Sequence, residues 1–138
     1  NFLYAGYEAY ASMTLDNDPM LQEYLLRVAE EDFAFAMEKF KKDSFDQFVQ
    51  PYEHSYNTSK SQYMATISWS ASQLYKLTGK PSYADIAAEY IRYTLDCQRT
   101  EPLKDQDGTR GFFYRDKSRK SIVHYIHQRA SRSICRPW

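Results

Sequence analysis

The sequence predicts an all-α protein of antiparallel helical hairpins. Three observations lead there. Glycine is scarce, at 4 of 138 residues. Several long stretches repeat apolar residues at helical spacing. Two tight, proline-bearing turns, Asp16–Pro19 and Thr78–Ser82, separate those stretches in pairs.

The first helix spans residues 2–15, with Phe2, Leu3, Ala5, Ala9, Met13 and Leu15 on its apolar side. It stops at Asp16-Asn17-Asp18-Pro19. Asp18 suits an N-cap, and Pro19 suits the first helical position, where a missing N–H costs nothing. The second helix then runs from Pro19 to about Lys42, through Leu21, Leu25, Val28, Ala29, Phe33, Ala36, Met37 and Phe40. Glu23 and Arg27 form an i,i+4 pair, and Lys39, Lys41 and Lys42 favour the negative end of the helix dipole.

Residues 43–59 read as an aromatic-rich polar loop around Pro51. A third helix follows from about Lys60 to Leu77, with a buried stripe of Met64, Ile67, Ala71 and Leu74. Ala65, Ser68, Ser70, Ala71 and Ser72 make it small around its circumference, so neighbours can surround it. Gly79 fits the left-handed C′ position, and Ser82 with Asp85 reads as a capping pair. A fourth helix runs from Ser82 to about Gln98, buried through Tyr83, Ile86, Ala87, Tyr90 and Cys97. Residues 99–112 lack a period and contain Glu101-Pro102 and Asp107-Gly108, which mark a loop. Ser121–Gln128 is periodic again and is expected to open a fifth helix.

The two hairpins, about 2–42 and 60–98, overlay with Pro19 on Pro81, an offset of 62 residues. Tyr7 then falls on Trp69, Ala9 on Ala71, Leu15 on Leu77 and Val28 on Tyr90. Either a four-helix bundle or a slice of a toroid of hairpins fits this repeat. The region 1–128 is thus one repeat array. Residues 129–138 break the pattern with three arginines, a proline and no helical period. Shifting one choice of their codons by one base yields a helix-like string, so the tail reads as a frameshift or truncation; the alternative is a genuine short C-terminal tail. The chain opens at Asn1 with no visible targeting segment, as expected of a processed chain or an internal fragment.

Composition excludes several function classes. Lys plus Arg and Asp plus Glu both number 18, for a formal net charge of zero. That speaks against phosphate-neutralising nucleic-acid binders and polybasic membrane binders. A mean hydropathy of -0.72 and the lack of a long apolar run leave no membrane span. Two cysteines, Cys97 and Cys135, are too few for a disulfide scaffold. No nucleophile elbow, phosphate loop or dinucleotide fingerprint is present.

Tyr63-Met-Ala-Thr-Ile-Ser-Trp-Ser-Ala-Ser-Gln-Leu-Tyr-Lys-Leu-Thr-Gly-Lys-Pro-Ser-Tyr-Ala-Asp-Ile-Ala resembles the hairpins of six-hairpin glycosidases, and most of all glycoside hydrolase family 9. Trp69, Ala71, Leu74, Tyr75, Leu77, Thr78, Gly79 and Tyr83 carry the likeness, with Gly111-Phe-Phe-Tyr-Arg-Asp116 beside it. The resemblance implies an (α/α)6 toroid and acid/base hydrolysis of a β-glucan, with no cofactor. The family's Asp-Ala-Gly-Asp base motif and its catalytic Glu are missing here. Hydrolysis needs both groups, so the catalytic pair is expected outside this chain, which alone is expected to be inactive.

In such toroids the cleft lies at the long loops. The resemblance therefore puts Phe45, Phe48, Tyr52, His54 and Tyr56, with Phe112, Phe113, Tyr114, Arg115 and Asp116, on the sugar face. Flat rings stack on sugar C–H faces while polar neighbours bind hydroxyls; alternatively, these rings fill loop cores. His124 and His127 stand at i,i+3 and read as substrate-binding or structural rather than as a zinc pair, which lacks further ligands. Asp105-Gln-Asp107-Gly108 falls short of a calcium loop, since Tyr114 stands where the closing Glu belongs. Glu30-Glu31-Asp32 reads as a solvated face, Cys97 as a small core residue, and Asn57-Thr58-Ser59 as a glycosylation sequon. The expected partner is an oligo- or polysaccharide bound by the full-length protein. The alternatives are a non-catalytic helical-repeat interaction module and a stand-alone small-ligand bundle. Exposed apolar residues on the outer helices separate a closed bundle from an array lacking neighbours; Phe2, Leu3, Tyr4 and Tyr7 are expected to be uncovered.

Overall fold

The computed structural model describes residues 1–15, 17–45, 59–102 and 110–123. Its elements are α1 (Phe2–Thr14), α2 (Pro19–Asp43), α3 (Lys60–Thr78) and α4 (Pro81–Asp96). Among the described residues the fold is all-α, with only isolated β-bridges besides the helices. The chain divides into two compact units, Asn1–Asp46 with Thr66–Glu89, and Gln47–Ala65 with Tyr90–Trp138.

In the first unit, α1 and α2 form an antiparallel hairpin. Asp18 caps α2 by accepting from the Leu21 N–H at 2.9 Å, with Pro19 just inside the helix. The Ser12 hydroxyl donates to the Gln22 carbonyl at 2.9 Å near the turn. At the far end Phe2 meets Phe33 and Phe40 edge-on, with ring centroids 5.4 and 6.5 Å apart. Phe2 is therefore only 4% exposed, against the expectation that it would be uncovered. Tyr4 is uncovered, at 67%, and Leu3 is half-buried.

Between Ser61 and Leu74, only Tyr63 and Thr66 escape full burial, as the small residues of α3 suggested. The first unit shows what makes this possible. A Cβ at Gly6 would lie 2.3 Å from Trp69 Cζ3 and 2.7 Å from Ser70 Oγ, so α1 crosses α3 at the one α1 residue without a side chain. Tyr7 edges onto Trp69 with centroids 5.2 Å apart, and the Ser70 hydroxyl donates to the Phe2 carbonyl. Small hydroxylated residues let helices approach closely and bond across the contact. Ser68 does so too, donating to the Ala87 carbonyl of α4 at 2.7 Å.

The turn from α3 into α4 is built as the sequence suggests, one residue earlier. Gly79 is left-handed (φ 66°) and donates to the Tyr75 carbonyl at 2.8 Å. The expected Ser82–Asp85 capping pair does not form. Pro81, with its φ already helical, opens α4, and the Tyr83 N–H bonds the Lys80 carbonyl at 3.1 Å. Two further expectations give way. Arg27 leans toward Glu31, at 3.9 Å, and over the Tyr24 ring, not toward Glu23. Glu30 is not merely a solvated charge: it accepts from Lys80 Nζ and, at 2.9 Å, from the Tyr83 hydroxyl, tying α2 to the start of α4. Those two donors hold the Glu30 carboxyl below its ordinary range although its own desolvation pulls the other way.

In the second unit, α3 begins with a capping box. The Ser59 N–H and hydroxyl both donate to Gln62 Oε1, at 3.0 and 2.8 Å, while the Gln62 N–H returns to Ser59 Oγ at 3.3 Å. Thr94 of α4 donates to the Ser61 carbonyl at 2.8 Å, and Cys97 is fully buried. The chain after α4 pairs with itself. Gln98 bridges Phe113 and Tyr114 bridges Ile122, both antiparallel. Ser121–Val123 therefore do not open a fifth helix, because their backbone groups serve Arg115 and Phe113, at 2.8 and 2.9 Å. No described helix is long and apolar enough to cross a membrane.

Candidate functional site

The described parts of the expected sugar face are Phe112–Asp116, in the second unit, and Phe45, half-buried just past the end of α2 in the first. Residues Tyr52, His54, Tyr56, His124 and His127 lie outside the described residues, as do Phe48, Asn57, the Asp105–Gly108 segment, Cys135 and the 129–138 tail. Of the consecutive residues Phe113, Tyr114, Arg115 and Asp116, Tyr114 and Arg115 bond through their carbonyls to the first turn of α3.

Backbone bonds put them there. The first N–H groups of a helix lack partners within the helix. Here the Ser61 N–H finds the Arg115 carbonyl at 3.0 Å, and the Ser61 hydroxyl finds the Tyr114 carbonyl at 2.7 Å. The Tyr114 N–H in turn donates to the Cys97 carbonyl, just past the end of α4, at 2.8 Å. The segment thus spans the start of α3 and the end of α4. Its rings are half-buried, and Phe112 and Tyr114 stack edge-on with centroids 5.3 Å apart.

The loop that follows turns back through an Asp-x-Ser turn. Asp116 Oδ1 accepts from the Ser118 N–H at 2.8 Å, and Arg119 adopts a left-handed backbone (φ 57°). That turn aims two cations at the C-terminal end of α4. Lys117 pairs with the Asp96 carboxylate at 2.6 Å, and Arg119 donates to the Asp96 carbonyl at 3.1 Å while lying over the Tyr114 ring. Cations there offset the negative end of the helix dipole. Lys117 and Lys60 also flank Tyr93, with Nζ 4.8 and 5.2 Å from the ring centroid.

The ionisation states follow from these contacts. Hydrogen bonds from Ser118 hold the Asp116 carboxyl below its ordinary range. It stays ionised at neutral pH and makes a poor general acid there. The bond to Asp96 holds the Lys117 ammonium above its usual value. Burial pushes the Tyr93 hydroxyl and the Cys97 thiol up, so neither ionises readily. The cluster can accept and donate hydrogen bonds beside a ring edge. It does not set two free carboxyls across a gap. Among the described residues, no three His, Cys, Asp or Glu side chains are grouped to hold a metal.

Sequence reasoning found the aromatic run but missed Lys60, Ser61, Tyr93, Asp96, Lys117 and Arg119. Two signals for them were local: Ser59-x-x-Gln62 spells the capping box, and Asp116-x-Ser118 spells the turn. Compared with family models, with curated proteins and with solved structures, the chain gives no match.

Proposed function

We propose that the chain is part of a carbohydrate-active glycoside hydrolase of the six-hairpin, (α/α)6-toroid kind, acting on β-glucans through an acid and a base outside these residues. One observation carries this reading: a small-residue helix leads through a Thr-Gly-Lys-Pro turn into an outer helix, and the start of that small-residue helix seats the half-buried aromatic run Phe112–Tyr114 with Arg115 and Asp116 beside it. Rings with polar neighbours at one end of a hairpin suit a sugar chain, which offers C–H faces and hydroxyls together.

The test is to sequence the source DNA upstream of Asn1 and beyond Gln128, then assay the longest frame on a β-glucan. The reading expects a frame with an acid and a base residue on either side, active only when complete. A frame closed at both ends, with no hydrolysis, overturns it.

A second reading has its own support. Tyr4, Tyr7, Tyr10, Met20, Leu21, Tyr24, Phe35 and Tyr75 are all exposed in the first unit. A closed bundle would cover such residues. A helical-repeat interaction module would offer them to a protein neighbour.

A further inference from the structure

Glu8 is an acidic residue of α1 with intermediate exposure. It follows Tyr7, whose ring edges onto Trp69, and lies one turn before Ser12, whose hydroxyl joins α2. Its Oε2 is sealed from solvent and receives no hydrogen bond. The hairpin register places it alongside the middle of α2, because Ser12 meets Gln22 near the turn while Phe2 meets Phe33 and Phe40 at the other end.

The charged group facing it comes from α2: Asp32, a second carboxylate. Glu30, two residues from Asp32, is already tied to Lys80 and Tyr83. Gly6, two residues before it, turns a different side of α1 toward Trp69 and Ser70 of α3.

We propose that Glu8 is a proton-operated latch on the first hairpin: α1 seats firmly when Glu8 is protonated and loosens when it ionises. The physical reason is that an anionic oxygen cut off from water and without a donor is costly, and a facing carboxylate adds to the cost. Protonation removes the charge and with it both penalties. In keeping with this, burial first and the Asp32 charge second push the Glu8 carboxyl above its ordinary range. The folded chain then binds this proton more tightly than the unfolded chain does. Its stabilising effect is complete below the ordinary carboxylate pKa and is lost as pH rises through the raised one.

The experiment is thermal unfolding of the whole chain and of Glu8→Gln from about pH 4 to 8, alongside a carbon-13 carboxyl titration of Glu8 by NMR. The difference between the two melting temperatures should grow in favour of Glu8→Gln as pH rises, by an amount on the order of a few degrees. Asp32→Asn should move the Glu8 titration downward. The proposal fails if the Glu8 carboxyl titrates at or below its ordinary value, or if the melting-temperature difference is independent of pH. The titration of the unaltered chain decides the matter even if Glu8→Gln does not fold.

Discussion

The two units are held by different forces. The first is a packing contact, in which Phe2, Phe33, Phe40 and Tyr83 meet ring to ring and α1 touches α3 through Gly6. The second is a polar construction. There Ser59, Ser61 and Thr94 bond to backbone or to Gln62, and Lys117 and Arg119 close off the end of α4. Packing depends on volume and tolerates little change in it. The polar part depends on directed bonds, each modest once water is counted as the competitor. Large effects should therefore concentrate in the first unit and small, salt-sensitive ones in the second.

The sharpest way to break this contrast is Ile67→Ala. Ile67 is wholly buried in α3, and its loss should cost roughly 2–5 kcal/mol in a denaturant melt. Gly6→Ala comes next. Alanine favours a helix interior by about 1 kcal/mol over glycine. Here its Cβ would lie 2.3 Å from the Trp69 ring and 2.7 Å from Ser70 Oγ, and Trp69 is buried, so the contact must shift. Overpacking of roughly 1–3 kcal/mol should win, with a change in Trp69 fluorescence. A stabilised Gly6→Ala variant would show that the α1–α3 contact is looser than described.

In the second unit, Ser61→Ala removes the donor to the Tyr114 carbonyl and should cost about 1–2 kcal/mol. Amide hydrogen exchange should report the loss at Tyr114 and Arg115 and leave α1 unchanged. Lys117→Ala should have the smallest effect, because its pair with Asp96 is exposed. A small change that disappears in high salt is expected. A large or salt-independent loss would mean that Lys117 does more than cap the helix.

The same contrast explains what the sequence makes legible. The hairpins announce themselves through period and punctuation: Asp18-Pro19 and Gly79-Lys80-Pro81 act where their side chains and backbone preferences dictate. The buried stripe Met64, Ile67, Ala71 and Leu74 is likewise a matter of spacing alone. Contacts between distant residues leave no such trace. Phe2 looks like an exposed end until Phe33 and Phe40 cover it, and Glu30 looks solvated until Lys80 and Tyr83 reach it. The periodic stretch expected over Ser121–Gln128 does not start as a helix for the same reason: at Ser121–Val123, its described part, the backbone pairs with Phe113 and Arg115. At the candidate site the aromatic run is visible in the sequence. Its seat on Ser61 is not, because 53 residues separate that hydroxyl from the Tyr114 carbonyl.

The most direct measurement is an amide NMR titration of the chain with a soluble β-glucan oligosaccharide. The account predicts saturable shifts centred on Phe112–Asp116 and the first turn of α3, with Tyr4, Tyr7 and Tyr10 of α1 unmoved. Shifts confined to the exposed tyrosines of α1, or none at all while the chain is folded, would contradict the assignment of the sugar face to the loop after α4.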